Sequence, residues 1–120
     1  METAGWILSV AASVMLILCI SRYFSGLAFD EHMERGKDRL DAGFSGEALN
    51  EFRRCVVIRP GEGIAYLMRG EAYFRCGQRE DAMEDLERAM RLLPEGNHRE
   101  EAAQKLASIK RGIEILRPLN

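Results

Sequence analysis

The fold of this chain is decided by residues 63–96, which read GIAYLMRGEAYFRCGQREDAMEDLERAMRLLPEG. Apolar and small residues recur there at spacings of three, four and seven, which places them on one face of an α-helix. The first half carries the face Tyr66, Gly70, Tyr73 and Phe74. The second half carries the face Ala82, Met83, Leu86, Ala89, Met90 and Leu93. Gly77 separates the halves and Pro94 ends the second, so the stretch predicts a hairpin of two amphipathic helices.

The same pattern occurs 34 residues earlier in the chain. When residues 29–62 are aligned with residues 63–96, six pairs are identical: Arg35/Arg69, Gly36/Gly70, Gly43/Gly77, Ala48/Ala82, Arg54/Arg88 and Pro60/Pro94. The shared small residues fit positions where two helices cross closely, because bulk there would push the helices apart. The sequence therefore predicts two consecutive hairpins in an all-α fold.

A 34-residue helix–turn–helix unit with these columns resembles the tetratricopeptide repeat. The second hairpin matches the family pattern from Ala65 to Pro94. The first hairpin matches in its second helix, but His32 and Arg39 stand in its first helix at columns that are usually aromatic. The resemblance covers residues 29–96. It implies stacked hairpins whose first helices form a concave face that binds peptides or protein segments.

The resemblance also implies which residues line this groove. They are Met33, Lys37, Leu40, Ile64, Leu67, Glu71, Phe74 and Lys105. Among them, Met33, Leu67 and Phe74 would supply apolar contact, while Lys37 and Glu71 would orient the ligand. Family members that clamp the C-terminal carboxylate of chaperones carry basic and amide residues at these columns. Because Met33 and Glu71 do not match that set, we do not expect clamp activity.

Two ion pairs between helices are predicted from the alignment. Arg35 and Arg69 are each followed sixteen residues later by an acid, Glu51 and Asp85 respectively, and a hairpin would let the two positions face each other. The alternative is that these charges are solvated separately, in which case they contribute little to stability.

Residues 97–117 do not continue the repeat pattern. The segment from Asn97 to Glu100 resembles a capping box that opens a helix. An apolar stripe follows at Ala102, Ala103, Leu106, Ile109, Ile113 and Leu116, and Pro118 ends it. We expect a capping helix that closes the end of the array.

The N-terminal segment differs from the rest of the chain because residues 3–21 carry no charge. As a helix these residues would span about 28 Å, close to the hydrocarbon thickness of a bilayer. We predict a transmembrane helix over residues 3–24 and a short linker over residues 25–28. The alternatives are a cleaved signal peptide, a lipoprotein signal ending at Cys19, and a buried helix of a soluble protein.

Two further expectations concern this predicted membrane helix. Basic residues lie at or after its C-terminal end, at Arg22, Arg35, Lys37 and Arg39, and none precedes it, which favours a cytoplasmic repeat domain and an outside N-terminus. An odd number of cysteines, three, also suits a reducing compartment. Small residues share one helix face at Gly5, Ser9, Ala12 and Ser13, where another helix could approach closely. Small residues are also common in membrane helices without such a role.

Composition narrows the class of function. The chain has 120 residues, 17 basic and 19 acidic side chains, and a formal net charge of −2, which gives no broad reason to expect nucleic acid. His32 and His98 lie in different elements without a nucleophile at useful spacing. No cysteine and histidine cluster has metal-ligand spacing, and the turn at Gly61 lacks the residues of a phosphate loop. We therefore predict neither an enzyme nor a bound cofactor.

Two functions are consistent with this sequence. The first is a membrane-anchored adaptor or assembly scaffold that binds other proteins through the concave face. The second is a permanent accessory subunit of a membrane complex, held by both the apolar helix and the repeat surface. Either surface could also mediate self-association.

Overall fold

The computed structural model describes the backbone of residues 3–116 and the side chains of residues 3–112. The described part is all-helical, as predicted. Its five helices are α1 (Thr3–Asp41), α2 (Ser45–Ile58), α3 (Gly63–Arg75), α4 (Arg79–Leu92) and α5 (Asn97–Leu116). Each helix from α2 onward packs against the one before it. The C-terminal half of α1 pairs with α2 and α3 pairs with α4, which gives the two predicted hairpins, and α5 packs on α4.

Helix α1 is a single helix of 39 residues. It continues through residues 25–28, where the sequence led us to expect a linker. The segment Ser25-Gly26-Leu27-Ala28 contains no proline, so nothing interrupts the ladder of backbone hydrogen bonds. The apolar segment and the first helix of the first hairpin are therefore one element, about 58 Å long at the usual helical rise. Its N-terminal part is long and apolar enough to span a membrane, and the most apolar 18 residues are not buried against the rest of the protein.

The core fills the space within and between the hairpins. One cluster centres on Phe52, which is fully buried between α1 and α2. A second centres on Leu67 and Leu86 and includes Ala102, Leu106 and Ile109 of α5. Burial of these three residues supports the predicted role of α5 as a cap. The side chains of Ile113 and Leu116, and residues 117 and 118, lie outside the described residues.

The two close helix crossings differ in tightness. A Cβ atom added at Gly36 would lie 2.4 Å from Cε1 of Phe52, whereas one added at Gly70 would lie 3.2 Å from Cγ of Leu86. Both glycines thus lie where two helices cross closely, as predicted. At Gly36 there is no room for a methyl group. The bulkier ring of Phe52 accounts for the difference.

The turns form largely as the sequence indicates. Gly43 and Gly77 have φ values of 86° and 81°, a left-handed conformation that suits glycine after a helix. Helix α5 begins at Asn97 as expected, but the N–H of Glu100 donates to the carbonyl oxygen of Gly96 at 3.0 Å. The backbone therefore satisfies this donor, and the Asn97 side chain does not accept the bond that a capping box would give it.

Candidate protein-binding face

The first helices of the hairpins and the cap lie side by side as α1, α3 and α5, in that order. Between α3 and α5, with α4 beneath, lies a cleft of about 300 Å³. Its floor is apolar and includes Gly70, Leu86 and Ile109, while Glu71, Phe74, Arg75 and Lys105 surround the opening. This cleft lies on the face where the sequence predicts a groove.

Glu71 is the electrostatic centre of the face. Its Oε2 accepts a hydrogen bond from Nζ of Lys105 at 2.7 Å, and its Oε1 accepts one from Nη2 of Arg75 at 2.8 Å. Nη1 of Arg75 also donates to the carbonyl oxygen of Leu40, at 3.1 Å. Burial of Glu71 opposes its ionisation, but the bonds and charges of Lys105 and Arg75 outweigh burial and lower the pKa of Glu71. One carboxylate thus joins α3 to α5, and Arg75 joins α3 to α1.

Phe74 provides exposed apolar surface beside this charge cluster. Its exposed fraction is 46%, high for a phenylalanine at the edge of an apolar cleft. The backbone N–H of Gly77 donates to the carbonyl oxygen of Phe74 at 3.0 Å, which fixes the end of α3. The backbone position of Phe74 at the edge of the cleft is therefore fixed.

Three of the predicted groove residues supply core rather than surface. Met33, Leu40 and Leu67 are exposed by only 6%, 3% and 1%. They occupy the side of their helices that faces the second helix of each hairpin, so their side chains pack inward. The repeat pattern specifies an apolar residue at position 67 but not whether that residue is buried or exposed. In the structure Leu67 belongs to the core and is not available to a ligand.

The other predicted groove residues divide into two groups. Glu71, Phe74 and Lys105 meet at the cleft. Ile64 is half-buried near the start of α3, about 15 Å from Phe74 along the helix. Lys37 lies on α1, where its Nζ is 3.9 Å from Oε1 of Glu34. Sequence reasoning missed Ser108 and Ile109 as cleft residues, although the helical spacing from Lys105 places both near that face.

The inter-helix ion pair predicted in the second hairpin is present. Nε and Nη2 of Arg69 donate to the two carboxylate oxygens of Asp85, both at 2.7 Å. The guanidinium also lies over the rings of Tyr66 and Tyr73, at 5.4 and 5.7 Å from their centroids. The hydrogen bonds to Asp85 raise the pKa of Arg69 against the effect of burial.

The corresponding prediction for the first hairpin is wrong. Arg35 pairs with Glu31 on its own helix. The partner of Glu51 is instead His32, whose Nδ1 lies 2.6 Å from Oε2 of Glu51. His32 and Arg39 stand at the columns of Tyr66 and Tyr73, so Arg35 lacks the aromatic rings that hold Arg69 in place. The half-buried Glu51 is satisfied by the imidazole.

The small-residue face of α1 is exposed along its length. Gly5, Ser9, Ala12 and Ser13 contact no other helix within the described chain, and Oγ of Ser13 donates to the carbonyl oxygen of Ser9 at 2.9 Å. Helix contact through this face therefore stays a prediction.

The described residues hold no group of three or more His, Cys, Asp or Glu side chains suited to a metal ion. Cys55 is buried, and its Sγ lies 3.7 Å from the carbonyl oxygen of Phe29. Burial, with the charge of Glu51, raises the pKa of Cys55 to about 11. Cys55 is thus a core thiol at the position that aligns with the buried Ala89 of the second hairpin, whereas Cys19 and Cys76 are exposed.

Comparison with known proteins identifies the second hairpin. Residues 63–95 match the family model described as Tetratricopeptide repeat. The chain is also similar to "DnaJ homolog subfamily C member 3" from Rattus norvegicus, with 35% identity over 63 residues, and to the Homo sapiens protein of that name, with 33%. Each similarity covers 52% of this chain but 12% of the relative. The chain therefore spans about an eighth of the length of these curated relatives. The repeat that matches residues 63–95 is a protein-interaction unit rather than an enzyme family.

Proposed function

We propose that this tetratricopeptide-repeat chain is a membrane-anchored adaptor or assembly scaffold that binds a segment of another protein at the cleft between α3 and α5. A repeat of this family generally binds protein partners. The ligand segment would place an apolar side chain against Phe74 and polar groups near Lys105 and Arg75. No catalytic activity is proposed.

One observation carries this proposal: the exposed ring of Phe74 stands at the rim of an apolar cleft whose charged groups are already paired. Arg75 and Lys105 both bind Glu71, so their charges are partly neutralised before a ligand arrives. Recognition then depends mainly on apolar burial, at about 25 cal/mol per Å². This distinguishes the cleft from a clamp that captures a terminal carboxylate.

A site-specific photocrosslink tests the proposal. A photoreactive phenylalanine analogue replaces Phe74 in the full-length protein, which is then irradiated in its native membrane. Phe44 is the matched control, because it is 54% exposed and lies in the α1–α2 turn, and it is not among the residues that line the cleft. A discrete protein adduct at position 74 that is absent at position 44 is expected. Equal crosslinking at the two positions, or none at position 74, would remove the cleft as the binding site.

The anchor in this proposal is the N-terminal part of α1. Its length, its lack of charge and its exposed apolar side chains support a single span. The basic residues that follow it support a cytoplasmic repeat domain. A cysteine introduced at Asn120 is then expected to resist a membrane-impermeant maleimide in intact cells. Labelling of this cysteine in intact cells would show that the repeat domain lies outside the cytoplasm.

The second function, a permanent subunit of a membrane complex, is favoured by the continuity of α1. A single helix through residues 25–28 gives the repeat domain a fixed direction relative to its anchor. Replacing residues 3–21 by an unrelated apolar helix of the same length distinguishes the two functions. An adaptor keeps its partner after this exchange, whereas a subunit held by the face of Ser9 and Ser13 loses its complex.

A further inference from the structure

A second recess lies where α1 passes the turn between α2 and α3. Its volume is about 510 Å³, and its lining consists of Arg22, Arg59, Pro60, Gly61 and Glu62. Two arginines and one glutamate thus line the same recess. This recess is separate from the cleft between α3 and α5.

The structure holds Arg59 in the recess by contacts with α1. Its guanidinium carbon lies 5.1 Å from the centroid of the Phe29 ring. A Cβ atom added at Gly26 would lie 2.9 Å from Nη2 of Arg59, so the absence of a side chain at Gly26 makes room for the guanidinium. Arg59 is half-buried as a result, and its position depends on α1 rather than on solvent.

Packing between the hairpins does not explain why position 59 is an arginine. The aligned residue of the second hairpin is Leu93, which packs over Gly63, where an added Cβ would lie 2.7 Å from Cγ of Leu93. The first hairpin therefore has a cation where its copy has an apolar side chain. Neither Arg59 nor Arg22 forms an ion pair with another described residue.

The recess lies at the depth of lipid headgroups if α1 spans the membrane. Arg22 is the first charged residue after the uncharged run of residues 3–21. Gly26, which contacts Arg59, is one turn further along α1, about 6 Å at the usual helical rise. The polar layer of each leaflet is about 5–7 Å thick. Both guanidinium groups therefore fall within or beside that layer.

We propose that Arg22 and Arg59 together bind the phosphate of an anionic phospholipid headgroup. Guanidinium groups suit this ligand because they present several N–H donors to phosphate oxygens. Glu62 limits the affinity, because it places a negative charge on the same lining. This inference rests on the proposed membrane anchor, but it does not depend on the α3–α5 cleft.

Native mass spectrometry of the full-length protein in detergent tests the proposal. The affinity for phosphatidylglycerol is compared with that for phosphatidylcholine in the parent and in three variants. Arg22→Gln/Arg59→Gln removes both recess charges, and Glu62→Gln removes the opposing one. Arg79→Gln/Arg111→Gln is the matched control, since neither of these arginines lines the recess.

At about 1 kcal/mol for each basic residue near a lipid surface, each recess arginine corresponds to about a fivefold change in affinity. The recess double variant is expected to lose about 25-fold in affinity for phosphatidylglycerol. The matched control should stay within about twofold, and Glu62→Gln should bind more tightly. Arg22→Gln alone should lose about fivefold. Because Arg22 is exposed, this variant keeps the test valid even if Arg59→Gln disturbs folding.

The contrary outcomes are distinct. Equal losses in the recess and control variants would overturn the recess site and leave the anchor intact. Displacement of the lipid by millimolar inorganic phosphate would assign the site to a free phosphate instead. Release of the parent protein from native membranes by alkaline extraction would overturn both the anchor and this inference. Photocrosslinking at position 74 would still report separately on the cleft.

Discussion

Breaking the ion pair between Arg69 and Asp85 should strongly destabilise the second hairpin. The side chain of Asp85 is only 6% exposed and that of Arg69 is 21% exposed. Removing one member of a buried pair typically costs about 3–5 kcal/mol, because the remaining charge loses its partner without regaining water. Since Arg69 keeps some contact with solvent, we expect costs at the lower end of this range or slightly below it.

The two single substitutions should differ in cost. Arg69→Met leaves the more deeply buried carboxylate alone and should destabilise the domain by about 3 kcal/mol, whereas Asp85→Ala should cost about 2 kcal/mol. The coupling energy of the double-mutant cycle should reach about 2 kcal/mol. For a domain of this size, losses of 2–3 kcal/mol correspond to a fall in Tm of about 10–20 °C.

Urea unfolding of the full-length protein in micelles, followed by circular dichroism at 222 nm, measures these energies. A second cycle on Arg35 and Glu31 is the internal control, because these side chains are 56% and 58% exposed. Its coupling energy should be at most about 0.5 kcal/mol. A coupling between Arg69 and Asp85 as small as that of the control would refute the argument from burial.

Three other substitutions or modifications test separate features. Gly36→Ala should destabilise the protein by about 1–3 kcal/mol and Gly70→Ala by less than about 1 kcal/mol. The reason is that the added Cβ would lie 2.4 Å from the nearest atom at Gly36 but 3.2 Å from it at Gly70. Equal urea midpoints for the two variants would contradict this. Cys55, whose pKa is raised to about 11, should resist maleimide near neutral pH while Cys76 reacts, as counted by intact mass; similar rates would show that the core opens. The lowered pKa of Glu71 means that its contribution to stability is complete above the unfolded pKa of about 4.3 and is lost as pH falls through the lower folded value. Glu71→Gln should therefore show a smaller drop in urea midpoint than the parent between about pH 6 and about pH 3, and identical drops would exclude a role for its charge.

The paired charges show where prediction from the repeat pattern succeeds and fails. The spacing of sixteen residues predicted Arg69 with Asp85, and the hairpin brings them together. The same spacing in the first hairpin failed, because the partner of Arg35 depends on whether aromatic rings hold its guanidinium. His32 is the visible signal of that difference, but its bond to Glu51 required the arrangement of α1 against α2.

The candidate cleft was predicted only in part for a similar reason. The repeat pattern specifies that a position is apolar but not whether it is exposed, and Leu67 and Phe74 are both apolar. Only the packing of α5 and α4 against α3 decides that Leu67 is core while Phe74 is surface. The recess at Arg59 was not predicted at all, because its walls come from segments more than thirty residues apart in the chain.

The sequence by itself determined the all-α class, the two hairpins, the capping helix and the apolar N-terminal segment. These features follow from local periodicity and from glycine and proline at turns, which depend on neighbouring residues. Tertiary structure alone decided the exposure of each apolar side chain and the partner of each charge. Those properties depend on distances between helices, and such distances are set by the packing of the whole array rather than by any one segment.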